Sequence, residues 1–374
     1  MERYLGENTP KLGFGLMRLP KLADKSIDIE QGKVMVDRFM EAGFTYFDTA
    51  YVYTGSEAAT KEILADRYPR ESYTLATKIN AGEWCGATDA EKCKAEFEES
   101  LKRTGAGYFD YYLLHALGAK NKERYDAFGI WDFVKEKKEQ GLVKHWGFSF
   151  HDTPAVLDQL LTEHPDAEFV QLQLNYADWE DPENRSRECY EVARKHGKSV
   201  VVMEPVKGGT LAKPPRAVAE LLKAANPEAS PASWAIRYVA SLDGILTVLS
   251  GMSTTAQMED NISFMKDFRP LDEEEQKVIA AAQKALAEVD QIKCTACRYC
   301  ADGCPMEINI PGIFAAMNRC KIWEDEAGAR QEYEQATKDK GKASDCIQCG
   351  QCEAACPQGL PIIERLQECA AFFE

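Results

Sequence analysis

SVVVMEPVKGG, from Ser199 to Gly209, is the stretch on which the fold turns. Its first half is apolar without alternation, as a strand is when both faces of a parallel sheet are covered; a strand with one wet face would alternate. The run then stops at a proline and a glycine pair. Similar β-rich runs lie on either side: Leu12–Leu16, Tyr46–Thr49, Thr74–Lys78, Tyr111–Leu114, His145–Phe148 and Val170–Gln173 upstream, and Leu246–Ser250 downstream. Between them the apolar period changes to that of amphipathic helices, as in Glu30–Ala42, Glu57–Tyr68, Asp89–Thr104, Phe133–Glu139, Glu183–His196 and Pro231–Ser241. Strand–helix alternation means βαβ units. Eight such strands fit a closed (β/α)8 TIM barrel, an α/β fold, better than an open doubly wound sheet. Gly13-Phe14-Gly15 lacks the third glycine and the following helix that a dinucleotide-binding open sheet would show.

The chain has 374 residues, which leaves room for a barrel plus something small. Lys and Arg number 45 against 61 Asp and Glu, a net charge of −16, which argues against nucleic-acid or anionic-membrane surfaces as partners. No apolar run is long enough to span a membrane, and Met1–Gly15 lacks the layout of a signal peptide, so a cytoplasmic location is expected. The cysteines set the division: ten of thirteen lie between Cys294 and Cys369. The expected domains are therefore a barrel over 1–270, a connecting helix over 271–290 and a cysteine-rich domain over 291–374.

In a closed parallel barrel, chemistry sits where strands end and βα loops begin. The second strand ends in Asp48 and runs on to Tyr53; the third ends in Lys78 and the fourth in His115. The fifth ends at Ser149, the sixth carries Gln171, and the seventh ends in Met203. With FDTAYVY (Phe47–Tyr53), Thr77-Lys78, LLH (Leu113–His115), GFS (Gly147–Ser149) and VQLQLNY (Val170–Tyr176), the chain resembles the aldo-keto reductases over roughly residues 10–270. The resemblance implies that Tyr53, Lys78, Asp48 and His115 are catalytic. The chemistry explains the types. Hydride addition to a carbonyl leaves an alkoxide that needs a proton, and a free phenol, with a pKa of about 10, is a poor acid. An ammonium beside it stabilises the phenolate, a carboxylate balances that ammonium, and an imidazole orients the carbonyl oxygen.

The family holds a nicotinamide dinucleotide. By resemblance Ser149 and Gln171 would meet its carboxamide and Met203 would pack on the ring. Gly208 and Gly209, with Ser250, Gly251, Ser253, Gln257 and Asn261, would hold its phosphates. Members that prefer NADPH place cations after the eighth strand, whereas SGMSTTAQMEDN (Ser250–Asn261) has none. A 2′-phosphate calls for Arg or Lys, so NADH is favoured over NADPH. Met17, Arg18, Trp84, Tyr176 and Trp179 are expected near the mouth.

The tail carries one motif twice: Cys294-x2-Cys297-x2-Cys300-x3-Cys304-Pro and Cys346-x2-Cys349-x2-Cys352-x3-Cys356-Pro. Three thiolates at that spacing wrap one iron–sulfur cube, and the cysteine before proline ligates the other. Cys294, Cys297, Cys300 and Cys356 are thus expected around one [4Fe-4S] cluster, and Cys346, Cys349, Cys352 and Cys304 around the second. Zinc would leave the repeated Cys-Pro unexplained. The segment resembles dicluster ferredoxin domains, and the helical pattern of the 41 residues from Pro305 to Asp345 points to a mostly helical one.

The expected function is an oxidoreductase that reduces a carbonyl, or oxidises the alcohol, in the barrel. Its clusters would exchange electrons with a bound cofactor or with a ferredoxin or other redox protein. A hydride carries two electrons and a cube accepts one, so a flavin converter is an open option. The alternative is an electron-transfer or adaptor protein whose barrel no longer turns over carbonyls.

Overall fold

The computed structural model describes residues 5, 6, 9–182, 184–323 and 325–374. Among them, eight parallel strands close into a barrel in the order β1-β2-β3-β4-β5-β6-β7-β8. They are β1 Leu12–Gly15, β2 Tyr46–Asp48, β3 Thr74–Ile79, β4 Phe109–Leu117, β5 Val143–Phe150, β6 Phe169–Gln173, β7 Ser199–Met203 and β8 Ile245–Ser250. Closure is direct: Leu12 of β1 pairs with Val248 of β8, and Gly15 with Asp48 of β2. The barrel interior is filled by Tyr46, Ala76, Tyr111, Leu113, Phe169, Val201, Leu246 and Leu249, all at most 6% exposed, which makes it a packed core and not a pore.

The chain divides into two compact units. The first holds residues 1–180, 185–205 and 235–271; the second holds Asp181–Asn184, Val206–Trp234 and Asp272–Glu374. Two segments that follow barrel strands thus belong with the cysteine-rich tail. Within the second unit, helix Glu273–Ala287 begins at a capping box, Asp272 accepting from the Glu275 backbone and Glu275 returning to Asp272. Helices Ile310–Trp323, Glu326–Thr337 and Ile362–Phe373 form the body of the tail. Their core is Ile310, Ile313, Phe314, Met317, Tyr333 and Leu366 together with Cys300 and Cys352, and Cys294, Cys304, Cys346 and Cys356 pack against it.

The helix expected over Glu57–Tyr68 is shorter and irregular. An α-helical turn, Ser56–Thr60, passes into a π-helical stretch over Lys61–Ala65. Apolar periodicity does not report such an expansion, because one inserted residue in a short helix leaves the pattern nearly unchanged.

Candidate functional site: a polar barrel mouth and two thiol-lined cavities

Asp48, Lys78 and His115 lie at the C-terminal ends of β2, β3 and β4, at most 4% exposed. The Lys78 ammonium donates to Asp48 Oδ1 at 2.6 Å and to the Thr49 carbonyl at 2.7 Å. Burial pushes the Asp48 carboxyl up and the Lys78 ammonium down, and each partner opposes the other's shift. The Lys78 ammonium is 5.1 Å from the centre of the Tyr53 ring, and the His115 ring stands edge-on to Tyr53 with centroids 5.7 Å apart. The four residues expected to be catalytic are therefore brought together. Burial first, then the Lys78 charge, holds His115 well below the ordinary histidine range, so it is a neutral imidazole near neutrality. Its Nδ1 is buried with no partner among the described residues.

His115 is aimed by its backbone. The β4–β5 register shifts between Leu114 and Leu117, Ala116 has φ +51°, and its N–H donates to Ser149 Oγ at 2.7 Å. A bulge beside a reactive side chain is a common way to redirect it. Tyr125 fixes the same point by donating to the His115 carbonyl at 2.7 Å. Tyr125 escaped sequence reading because it lies in a loop helix with no motif. Behind the mouth, Glu57 accepts from Thr77 at 2.8 Å and pairs with Arg103, which also donates to the Tyr51 carbonyl. Glu96 accepts from the Asn80 backbone, and burial raises its carboxyl to about 8.

Ser149 and Gln171 sit side by side on paired strands and are buried. Gln171 donates to the Met203 sulfur at 3.5 Å, while its Oε1 is buried with no partner among the described residues. Since Ser149 Oγ accepts from Ala116, its own proton is available to donate. An orphaned amide oxygen beside a hydroxyl donor fits a carboxamide, so these residues suit a nicotinamide. The phosphate side differs. Asn261 donates to Ser250 at 2.6 Å, Ser253 donates to the Arg18 carbonyl, and Gln257 accepts from the Ser253 N–H. These groups already serve each other. The Arg18 side chain lies against Gly251 and pairs with Glu204 at 3.4 Å. Tyr176 and Trp179 pack on Tyr238. The Trp84 side chain lies outside the described residues.

Each motif copy of the tail closes on its own cavity. Cys294, Cys297, Cys300 and Cys356 line one, with Thr295, Ile310 and Phe314. Cys304, Cys346, Cys349 and Cys352 line the other, with Met306, Ile347 and Leu366. The crossed sets are those the spacing implies. Their backbones match too: Ala296 and Arg298 in the first copy have φ +54° and +73°, and Gln348 and Gly350, at equivalent places in the second, have +58° and +77°. Left-handed residues turn successive N–H groups inward, and the Ala296 N–H donates to Cys294 sulfur at 3.4 Å. Burial and the neighbouring thiols push Cys300 up, and Cys352 up to about 11. A cationic centre would relieve that crowding. Among the described residues no group of three or more His, Cys, Asp or Glu is placed to hold a metal ion, and the thiols line the two cavities.

The aldo/keto reductase family model matches residues 11–284, and a 4Fe-4S dicluster domain model matches residues 293–360. The chain belongs to the aldo/keto reductase family. Among curated relatives, a 9,11-endoperoxide prostaglandin H2 reductase of Trypanosoma cruzi is 25% identical over 72% of this chain and 86% of its own. Aldo-keto reductase family 1 member C13 of Mus musculus is 30% identical, and there the match spans about half the relative's length, 48%, and 38% of this chain. Among solved structures, aldo-keto reductase AKR11C1 from Bacillus halodurans in its holo form superposes with a TM-score of 0.59 at 24% identity, covering 75% of this chain and 95% of that one. An aldo/keto reductase from Klebsiella pneumoniae, in complex with NADP and acetate, gives 0.59 at 18% identity, covering 74% and 92%. These structures share the barrel fold. The chain is thus an oxidoreductase of this family with a 4Fe-4S domain in its C-terminal part, and among the described residues no helix is long and apolar enough to cross a membrane.

Proposed function

We propose that the barrel reduces a small carbonyl compound, or oxidises the corresponding alcohol, at Tyr53, and that the dicluster domain exchanges electrons with a ferredoxin-like partner. The buried Lys78–Asp48 pair with its ammonium 5.1 Å from the Tyr53 ring carries the first half of this reading. Lys78 stabilises the phenolate left when Tyr53 gives its proton to the alkoxide, and Asp48 with the Thr49 carbonyl holds Lys78 in place. His115, being neutral, can donate to the carbonyl oxygen without competing for the proton. Ser149, Gln171 and Met203 would hold a nicotinamide, which supplies the hydride when bound. The segment after β8 offers no cation to a 2′-phosphate, which favours NADH over NADPH.

A second reading, an adaptor without carbonyl turnover, draws support from the phosphate side, where Ser250, Asn261, Ser253 and Gln257 are bonded among themselves or to Arg18. One anaerobic assay separates the two. With NADH or NADPH and a panel of aldehydes and ketones, turnover with NADH at higher kcat/KM supports the enzyme. No turnover across the panel, with competent oxidation of reduced ferredoxin, supports the adaptor.

A further inference from the structure

Gly208 has φ +64°, and a Cβ built on it would lie 2.5 Å from the Thr295 carbonyl oxygen and 2.8 Å from the Thr295 Cα. Both obstacles are backbone, so no side-chain rearrangement could make room. Thr295 is 2% exposed, sits between Cys294 and Cys297, and lines the first thiol cavity. The loop after β7 thus rests directly on the backbone that would wrap the first cluster.

Both partners hold backbone forms they would not adopt unaided. Glu204 and Lys207 have φ +54° and +48°, and Ala296 and Arg298 are left-handed as well. Such residues persist only where their surroundings impose the conformation. Lys207 is also buried, at 4% exposure, in spite of its charge. A second tie lies one residue before the first cysteine: Lys293 pairs with the buried Asp181, in the other short segment that belongs to this unit. Thr295 is absent from the lining of the second cavity, and neither lining includes a residue of 181–184 or 206–234.

We infer that occupancy of the first cavity, bounded by Cys294, Cys297, Cys300 and Cys356, fixes the Lys207–Gly209 loop, and that the second cavity has no such control. The first cluster then has a structural task besides electron transfer: it sets the conformation of the Lys207–Gly209 loop. The electron-transfer role rests on the proposed function; the ordering of the loop does not. Linkage makes the coupling reciprocal, so a ligand on the loop should also stabilise the first cluster.

The test uses the full chain, purified anaerobically, as wild type, Cys297→Ala, Cys349→Ala and Gly208→Ala, with iron content confirming which cluster is lost. Hydrogen exchange over residues 204–212 should rise in Cys297→Ala and stay at the wild-type level in Cys349→Ala. Gly208→Ala should raise exchange on both sides of the contact and lower iron content, so the inference does not hang on one cysteine variant. Unchanged exchange over 204–212 in Cys297→Ala with the first cluster gone overturns it. A rise in Cys349→Ala equal to that in Cys297→Ala, with only the second cluster lost, overturns the selectivity for the first cavity.

Discussion

The barrel mouth and the thiol cavities of the tail solve opposite problems. At the mouth, Lys78 is neutralised by Asp48 and the Thr49 carbonyl, and His115 is aimed by Ala116 and held through Tyr125. The chain itself supplies every partner in that list. In the tail, four thiols line each cavity, burial and their neighbours keep protons on Cys300 and Cys352, and the non-glycine residues Ala296, Arg298 and Gln348 sit at positive φ. One centre balances its charges with its own residues; the other is a mould for something the chain does not encode. The first should therefore outlast the second when conditions turn against metal.

The largest expected effect breaks the mouth from within. Lys78→Met leaves Asp48 buried without its cation, which should lower stability by about 3–5 kcal/mol and remove carbonyl turnover. Lys78→Met/Asp48→Leu, which deletes both charges, should regain most of the stability and none of the activity. Thermal unfolding of the three proteins checks this, and a single variant as stable as wild type would mean that the pair is not the buried ion pair described.

Iron removal probes the other side. Anaerobic chelation should abolish the iron–sulfur absorbance and raise proteolytic cleavage across 291–374, with the barrel's cooperative transition retained. A barrel that unfolds with the tail would erase the contrast. The size of the expected effect follows from metal binding being folding free energy for small cluster domains.

A smaller effect tests the buried carboxyl behind the mouth. Glu96 is raised to about 8, chiefly by burial, so between its unfolded value near 4.5 and about 8 the folded state holds a proton that the unfolded state has lost. Stability should fall as pH rises through that window. Glu96→Gln, a neutral amide at every pH, should flatten that part of the profile, read by urea unfolding at pH 5 and 8. His115 has the opposite sign. Its lowered value means the unfolded state takes up the proton first, so its contribution is lost as pH falls below about 6.5.

How much of this was legible in sequence differs between the same two regions. The strands could be read because VVVM and LTVLS are apolar on both faces, and the crossed thiol sets because the spacing of eight cysteines leaves little freedom. What sequence could not carry is whatever depends on a backbone atom or a distant partner. The Thr49 carbonyl under Lys78, the positive φ at Ala116 and the Arg18–Glu204 pair leave no residue pattern. The glycine pair after β7 is expected on a phosphate by resemblance alone, and the reason Gly208 must be glycine is Thr295, 87 positions away. Ser253 and Gln257, expected on phosphates, are engaged with Arg18 and each other.

The most direct test of the central claim, that Tyr53 delivers the proton for hydride reduction at a mouth the chain builds unaided, is isotope transfer. Anaerobic NADH deuterated at the transferable position is incubated with an aldehyde accepted by the wild type, and the product alcohol is analysed by mass. The wild type should place the label on the carbinol carbon, and Tyr53→Phe should form about a thousandfold less labelled alcohol while binding NADH as tightly. Equal label transfer by Tyr53→Phe would contradict the account.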